Sequence, residues 1–115
     1  MFKGLVVHGD KMGRTLGYPT ANLDILIKDT KCKPGIYAAT VTLKKKKYNA
    51  ALVLNIAENK VEAHLFDYAG PEFYGAFVEI DPIQKVSEIE YYDNLKDLKE
   101  KIDEDIQLVR NVFKM

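Results

Sequence analysis

Apolar and polar residues alternate through most of the stretch from residue 35 to residue 66, and this alternation most constrains the fold. Successive side chains of a strand point to opposite faces, so a period of two places every second residue on one face. Residues 35–43 share one apolar face made of Tyr37, Ala39, Val41 and Leu43. A charged hairpin tip follows at residues 44–47. Residues 48–56 then share a second apolar face, made of Ala50, Leu52, Leu54 and Ile56. With a tight turn at 58–60 and a further strand at 61–66, the pattern predicts a three-stranded antiparallel meander.

Shorter signals on both sides of the meander complete a mainly β fold. We predict further strands at residues 2–8, 22–27, 76–80 and 83–89. The C-terminal segment changes to apolar spacings of three and four, at Leu95, Leu98, Ile102, Ile106, Val109 and Phe113. This periodicity predicts an amphipathic helix from Leu95 towards Lys114, with Asn94 as its N-cap. Short antiparallel strands followed by one helix predict a small closed or partly closed barrel, a single domain over residues 1–115.

Composition and charge narrow the class of protein. The 17 Lys and Arg residues balance 17 Asp and Glu residues, and zero net charge argues against a nucleic-acid binder held by a broad basic field. Cys32 is the only cysteine, which excludes an intrachain disulfide and favours a reducing compartment. No apolar run approaches the ~20 residues of a membrane-spanning helix. We therefore expect a cytoplasmic monomer with neither a nucleic-acid nor a membrane partner.

The segment from Gly9 to Leu23, which follows the first predicted strand and runs into the second, concentrates groups that suit a nucleotide phosphate. It carries three glycines at four-residue spacing and several polar or cationic residues: Gly9, Gly13, Gly17, Arg14, Thr20 and Asn22. Glycines let backbone amides approach a ligand, arginine suits phosphate geometry, and hydroxyl and amide oxygens suit magnesium. The segment matches neither the Walker A motif nor the dinucleotide fingerprint, since Pro19 and strands follow it. The glycines alone favour tight turns; their combination with the other residues favours a functional site.

The strand predicted at residues 61–66 offers a candidate general base. Alternation places Glu62, His64 and Phe66 on one face and the smaller apolar residues on the other. A carboxylate on a central strand can accept a proton from a hydroxyl group. From alternation alone, a solvated outer strand face is the simpler interpretation of Glu62 and His64.

Aromatic residues after the loop at residues 67–71 offer a candidate surface for a planar ligand. Phe73 and Tyr74 precede Gly75 there. Such residues either form an aromatic wall beside a ligand or pack the corner of a hairpin. The sequence leaves both interpretations open.

With these residues in place, the chain resembles the riboflavin kinase family, which also forms the C-terminal domain of bifunctional bacterial FAD synthetases. The match is densest through Gly13-Arg14-Thr15-Leu16-Gly17-Tyr18-Pro19-Thr20-Ala21-Asn22-Leu23 and continues at residues 34–38, 61–67 and 73–75. The resemblance implies a six-stranded antiparallel Greek-key barrel with a C-terminal amphipathic helix. It also implies Mg²⁺- and ATP-dependent phosphorylation of the riboflavin 5′-hydroxyl group, which gives FMN and ADP.

The resemblance assigns roles residue by residue. Glu62 corresponds to the family's catalytic base. Magnesium contacts correspond to Thr20 and Asn22. Nucleotide binding corresponds to Gly9, Gly13, Arg14, Gly17, Tyr18, Pro19 and Thr20. Flavin contacts correspond to Phe73, Tyr74 and Tyr92.

The chain departs from the family pattern at two places. Only residues 57–60 stand where the family carries a longer loop, and Ser87 stands where the family has an arginine on the flavin side. Both departures favour an alternative function, a non-catalytic flavin- or nucleotide-binding module on the same barrel. The retention of Thr20, Asn22 and Glu62 favours the kinase. A third interpretation is a detached domain of a bifunctional enzyme, and no nucleotidyltransferase domain is expected within this length.

Overall fold

The computed structural model describes residues 1–7, 20–71 and 73–115. Within them the chain forms six strands and two helices. The strands are β1 (Phe2–Val7), β2 (Thr20–Leu23), β3 (Gly35–Leu43), β4 (Lys46–Asn55), β5 (Lys60–Leu65) and β6 (Phe77–Ser87). The helices are α1 (Ile27–Thr30) and α2 (Leu95–Val112).

The strands close into an antiparallel barrel in the order β1-β2-β5-β4-β3-β6. The consecutive strands β3, β4 and β5 are neighbours, while β2 returns to pair with β5 and β6 returns to pair with β3. Three consecutive strands with a fourth beside the first define the Greek-key arrangement. Closure pairs each of the six described strands on both sides, so none of them is an open sheet edge. The predicted six-stranded barrel is confirmed.

The predicted meander is confirmed, with two corrections at its turns. The first hairpin tip is shorter than predicted, because Leu43 pairs with Lys46 and only Lys44 and Lys45 lie between them. Both tip lysines have positive φ, 49° and 70°, as a two-residue turn that follows the twist of the strands requires. Ile56, predicted on the apolar face, lies just beyond β4 and is 67% exposed, since the chain has already entered the next turn.

Two other strand predictions were wrong in extent. The strands predicted at residues 76–80 and 83–89 are one strand, β6, which pairs with β1 through its first half and with β3 along most of its length. One of the two register shifts in the β3–β6 ladder lies next to Pro82, which has no N–H to donate. The strand predicted at 22–27 is β2, which spans Thr20–Leu23, and the chain then forms the short helix α1. His8, the predicted end of the first strand, lies outside the described residues.

Two apolar clusters hold the fold together. The larger fills the barrel interior with side chains from all six strands, including Leu52, Leu65 and Ile80, each fully buried. The smaller lies on the outer wall and joins β3, β4 and the residue after β5 to α2: Ile36, Ala38, Ala51, Phe66, Ile106 and Val109. The strand β3 is therefore buried on both faces over much of its length. Through this cluster, helix α2 packs against one side of the barrel and covers it.

Helix α2 begins where the sequence predicts, and its partners on the barrel decide which face it buries. The predicted apolar face is confirmed at Ile106 and Val109, which are buried, but Leu95 is 67% exposed because it precedes the segment that reaches the barrel. Lys101 and Asp105 do not belong to the predicted apolar face, and both are nevertheless buried. Periodicity defines a helix face, but it does not reveal a buried ion pair beside that face.

The N-cap of α2 carries a testable share of the stability. The Asn94 side chain accepts a hydrogen bond at 2.8 Å from the Asp97 backbone N–H, as the sequence predicts. Replacing Asn94 by alanine leaves that N–H without its acceptor, so we expect a loss of about 1 kcal/mol in the free energy of unfolding. Urea unfolding of Asn94→Ala measures it, and Asn94→Asp, which keeps the acceptor, serves as the control. Equal stability of both variants and the natural sequence would contradict this role.

Candidate functional site

The register between β2 and β5 brings the predicted metal-binding and catalytic residues together. Thr20 lies opposite His64, and Asn22 lies opposite Glu62. Between them, Ala21 is fully buried in the barrel interior, so Thr20 and Asn22 belong to the outer face. On β5, the residues on either side of Glu62 and His64 are buried in the barrel interior, so these two side chains also belong to the outer face. Two predicted magnesium ligands and the predicted base therefore occupy one patch on the outer wall, which we call the polar patch: Thr20, Asn22, Glu62 and His64.

Close contacts link the residues of the polar patch. Thr20 Oγ1 lies 3.0 Å from His64 Nδ1. His64 Nε2 lies 3.8 Å from Glu62 Oε2, and Lys60 Nζ lies 3.8 Å from Glu62 Oε1. The Glu62 side chain is only 15% exposed, which rules out the solvated outer face that alternation alone favours. Glu62 is a largely desolvated carboxylate with cationic or polar groups on both sides.

A cavity of about 330 Å³ lies between the outer barrel wall and α2, beside the polar patch. Its size falls in the range of ligand pockets, about 300–1,000 Å³. The barrel contributes an apolar wall from Ile36, Ala51 and Val53, and α2 contributes Leu98, Ile102 and Ile106. Glu62 and His64 also line this cavity. A mainly apolar pocket with a few convergent polar groups suits a large planar ligand that carries a reactive hydroxyl group.

The segment between β6 and α2 brings two tyrosines to the cavity. The Tyr91 hydroxyl donates a hydrogen bond of 3.0 Å to Asn55 Oδ1, which also accepts from the Glu58 backbone N–H at 3.2 Å. The Asn55 side chain therefore joins the short turn after β4 to the approach of α2. Tyr92 also lines the cavity, and its hydroxyl donates to Glu90 Oε2 at 2.5 Å. That hydrogen bond raises the pKa of Tyr92 to about 12, so the phenol is neutral at working pH.

A buried ion pair on α2 forms part of the cavity lining, and sequence reasoning missed it. Lys101 Nζ donates to the two carboxylate oxygens of Asp105 at 2.6 and 2.8 Å and to Ser87 Oγ at 2.5 Å. Lys101 is 9% exposed and Asp105 is 7% exposed. Ser87 is the position where the resemblance expects an arginine, and here a helix lysine brings a cation to it. The available signal in the sequence was an i, i+4 Lys–Asp pair whose two members directly precede Ile102 and Ile106.

The structure separates the residues predicted to contact flavin. Tyr92 lines the cavity, whereas Phe73 is 8% exposed within the interior cluster and Tyr74 packs against that cluster. Phe73 meets Tyr68 edge-on, with ring centroids 5.1 Å apart. This packing matches one of the two interpretations that the sequence left open, in which these aromatic residues pack the corner of a hairpin. A flavin contact by Phe73 or Tyr74 stays a prediction.

The other predicted site residues fall partly outside the structure. Gly9, Gly13, Arg14, Gly17, Tyr18 and Pro19 lie outside the described residues, and their nucleotide-binding role stays a prediction. Thr20 and Asn22 offer a hydroxyl and an amide oxygen, and these hard ligands fit a magnesium ion. No group of three or more His, Cys, Asp or Glu residues within the described ranges could hold a metal ion.

A closed barrel with a polar patch beside a helix-covered cavity has the features that are typical of a small-molecule site. The family model Flavokinase, described as riboflavin kinase, matches residues 1–113. The chain therefore belongs to the riboflavin kinase family. Members of this family are ATP-using kinases that generally need a divalent metal.

Individual relatives and solved structures are similar to almost the whole of this chain. The bifunctional riboflavin kinase/FMN adenylyltransferase of Buchnera aphidicola is 34% identical over 96% of this chain and 37% of its own length. A solved structure described as a macrolide-efflux protein from Streptococcus pneumoniae is 28% identical, with a TM-score of 0.76 over 95% of this chain and 38% of that one. Riboflavin kinase from Trypanosoma brucei is 25% identical, with a TM-score of 0.69 over 97% of this chain and 75% of that one. The chain thus spans little more than a third of the bifunctional relative.

The two helices of the described residues differ greatly in length, and neither is long and apolar enough to cross a membrane.

Proposed function

We propose that this chain transfers the γ-phosphoryl group of ATP to the 5′-hydroxyl group of riboflavin, giving FMN and ADP. The observation that carries the proposal is the placement of Glu62. Its carboxylate faces a cavity of about 330 Å³ while its strand pairs with the strand of Thr20 and Asn22. A base and two metal-binding oxygens beside an apolar pocket suit phosphoryl transfer to a flavin. The family match supports the same reaction, and the non-catalytic module is not favoured.

The proposed reaction depends mainly on position and charge. The riboflavin 5′-oxygen attacks the γ-phosphorus of ATP, and the bond from that phosphorus to the bridging oxygen breaks, leaving its electron pair on ADP. Glu62 accepts the proton of the attacking hydroxyl group. Lys60 Nζ lies 3.8 Å from Glu62 Oε1, so a cation stands beside the proposed base. The low exposure of Glu62 limits the access of water that would compete with the flavin.

The nucleotide and metal parts of the proposal rest on Thr20, Asn22 and the glycine segment. We propose Mg²⁺ as the metal, with the Thr20 hydroxyl and the Asn22 amide oxygen as its protein ligands. A bound Mg²⁺ ion would neutralise phosphate charge during the transfer. The backbone amides of Gly9, Gly13 and Gly17, with Arg14, Tyr18 and Pro19, are proposed to bind the nucleotide, as the resemblance implies.

The cavity is the proposed flavin site, and filling it tests that assignment. Val53 lies on the barrel wall of the cavity, so Val53→Phe would place a ring where the flavin is proposed to lie. We expect riboflavin affinity to fall at least tenfold, which corresponds to about 1.4 kcal/mol. Quenching of riboflavin fluorescence measures it. Lys47→Phe, at an exposed position on the same strand, is the matched control, and equal affinity in both variants would place the flavin elsewhere.

The function itself is tested by incubating the protein with riboflavin, ATP and Mg²⁺ and separating FMN from riboflavin by chromatography. We expect FMN that requires all three additions and disappears with a chelator. Bound riboflavin without any FMN would support the non-catalytic module instead.

The remaining proposals concern the setting of the protein. We propose that residues 1–115 act as a single domain, that the protein is a cytoplasmic monomer, and that nucleic acid is not a partner. The balance of charged residues supports the last point, and a lone cysteine suits a reducing compartment. Size-exclusion chromatography with light scattering tests the monomer.

A further inference from the structure

One row of paired residues crosses the outer wall of the barrel along the cavity. Glu62 on β5 pairs with Val53 on β4. Val53 in turn pairs with Ile36 on β3, and Ile36 pairs with Ser87 at the end of β6. Directly paired residues share a face, and neighbouring strands are about 4.8 Å apart, so roughly 14 Å separates the two ends of the row. The row therefore has an apolar middle with a polar residue at each end.

The Ser87 end of the row holds the buried ion pair of α2. Lys101 Nζ donates to both carboxylate oxygens of Asp105, at 2.6 and 2.8 Å, and to Ser87 Oγ at 2.5 Å. An ammonium group has three donors, so these contacts saturate it, whereas a carboxylate has about four acceptor sites and Lys101 occupies two of them. Among the described residues no other group donates to the Asp105 side chain. Asp105 lines the cavity and retains acceptor capacity for a ligand there.

Stability alone does not account for a charged pair at this position. Lys101 and Asp105 are 9% and 7% exposed, and they line a cavity whose walls are mainly apolar. Replacing such a pair by hydrophobic residues of similar volume is often neutral or stabilising, because two charges have to be taken out of water. Apart from the proposed base, the other carboxylates of the cavity, Glu58 and Glu90, are exposed. Asp105 is thus a buried polar group of the kind that fixes the orientation of a ligand in an apolar pocket.

The flavin ring system offers a matching group. One edge of the ring carries methyl groups and is apolar, while the opposite edge carries the N–H of ring nitrogen N3 between carbonyl groups. We propose that Asp105 is a specificity-determining residue that accepts a hydrogen bond from the flavin N3–H, and that Lys101 is a positioning residue that fixes the carboxylate for it.

The length of the row agrees with this orientation of the flavin. With the 5′-hydroxyl group at Glu62, the side chain and ring of riboflavin lie over Val53 and Ile36, and the polar edge reaches the ion pair. An extended riboflavin molecule, measured from its 5′-hydroxyl group to this edge, is comparable in length to the row. The inference rests on the proposed function, because that function places the flavin in this cavity.

A double substitution removes the ion pair without leaving a buried charge. Lys101→Met with Asp105→Leu approximately keeps the side-chain volume and is expected to keep the fold. Lys99→Met with Asp103→Leu is the matched control, because these two residues have the same spacing on α2 and are exposed. The probe is N3-methylriboflavin, in which a methyl group replaces the proton of N3.

The first measurement compares riboflavin and N3-methylriboflavin by fluorescence quenching in each protein. The natural sequence should bind riboflavin at least about tenfold more tightly, the effect of one hydrogen bond to a charged group. In Lys101→Met/Asp105→Leu the preference should fall below about threefold, since that hydrogen bond is gone, and the control should keep it. Exclusion of the methyl group by size alone would persist, because Met and Leu fill a similar volume. An unchanged preference in this variant, or no preference in the natural sequence, would overturn the proposal.

The second measurement observes the proposed contact itself. Proton NMR of ¹⁵N-labelled riboflavin bound to the natural sequence should show an N3–H signal that is shifted downfield and exchanges slowly with water. Both properties should be lost in Lys101→Met/Asp105→Leu and kept in the control. An N3–H that exchanges as fast as in free riboflavin would overturn the proposal.

The outcomes separate this inference from the proposed reaction. FMN formation by the natural sequence, with the same preference for riboflavin in all three proteins, would reject the inference alone. A preference that is lost only in Lys101→Met/Asp105→Leu, without FMN formation by the natural sequence, would reject the reaction alone. Absence of riboflavin binding by the natural sequence would reject both.

Discussion

Replacing Glu62 by glutamine is expected to lower kcat for FMN formation by about 10²- to 10⁴-fold, the usual contribution of a general base. Glutamine has nearly the same size and keeps an oxygen toward Lys60, but it cannot take up the hydroxyl proton. Riboflavin and nucleotide affinities should therefore change little. Steady-state rates of FMN formation and separate binding titrations with riboflavin and ADP measure the two effects.

The matched control for this variant is Glu79→Gln. Glu79 is a carboxylate on β6 that contacts Lys3 at 3.8 Å on the barrel exterior and does not line the cavity. Its substitution removes the same charge from a strand at a distance from the proposed chemistry. A Glu62→Gln enzyme as fast as the Glu79→Gln enzyme would show that Glu62 is not the base.

Replacing Asp105 by alanine is expected to give the second large effect, a loss of about 3–5 kcal/mol in the free energy of unfolding. The substitution leaves the Lys101 ammonium buried between α2 and the end of β6, with Ser87 Oγ as its remaining partner. An uncompensated buried charge is costly because the interior cannot replace its hydration. For a domain whose total stability is on the order of 5–15 kcal/mol, this is a large share. Urea or thermal unfolding measures it.

A surface pair provides the contrast. Lys85 and Glu88 approach to 2.6 Å, but the Glu88 side chain is 74% exposed, so Glu88→Ala should cost less than about 1 kcal/mol. Replacing both buried partners, with Lys101→Met and Asp105→Leu together, should recover most of the stability that Asp105→Ala loses. If Asp105→Ala is no more harmful than Glu88→Ala, the buried pair does not stabilise α2 on the barrel.

The fold could be predicted where one strand face is consistently apolar. The alternation at Tyr37, Val41 and Leu52 predicts strands whose buried faces the structure confirms. The single strand β6 could not be predicted, because Pro82 breaks the pattern locally while the ladder to β3 accommodates it with a register shift. Whether a proline ends a strand or is absorbed within it depends on the neighbouring strand, which the local pattern does not specify.

The site could be predicted only in part, for a related reason. The residue types of Thr20, Asn22 and Glu62 and the family resemblance predict their roles, but only the β2–β5 register makes Asn22 and Glu62 direct neighbours. The burial of Lys101 depends on Ser87, which is 14 residues earlier and on another element. Phe73 shows the converse, since an aromatic residue suited to a ligand packs against Tyr68 instead. The chemistry of a side chain can be read from the sequence, whereas the groups that the side chain contacts are determined by tertiary packing.

The fate of the γ-phosphoryl group tests the central claim most directly. Phosphorus NMR of a mixture of the protein, ATP, Mg²⁺ and riboflavin follows that group without separation of the products. We expect the ATP γ resonance to be replaced by ADP and by the phosphate monoester of FMN in equal amounts, with Glu62→Gln slowing both. Formation of ADP with inorganic phosphate and no FMN, or no loss of ATP at all, would contradict the assignment of this barrel as a kinase that phosphorylates riboflavin.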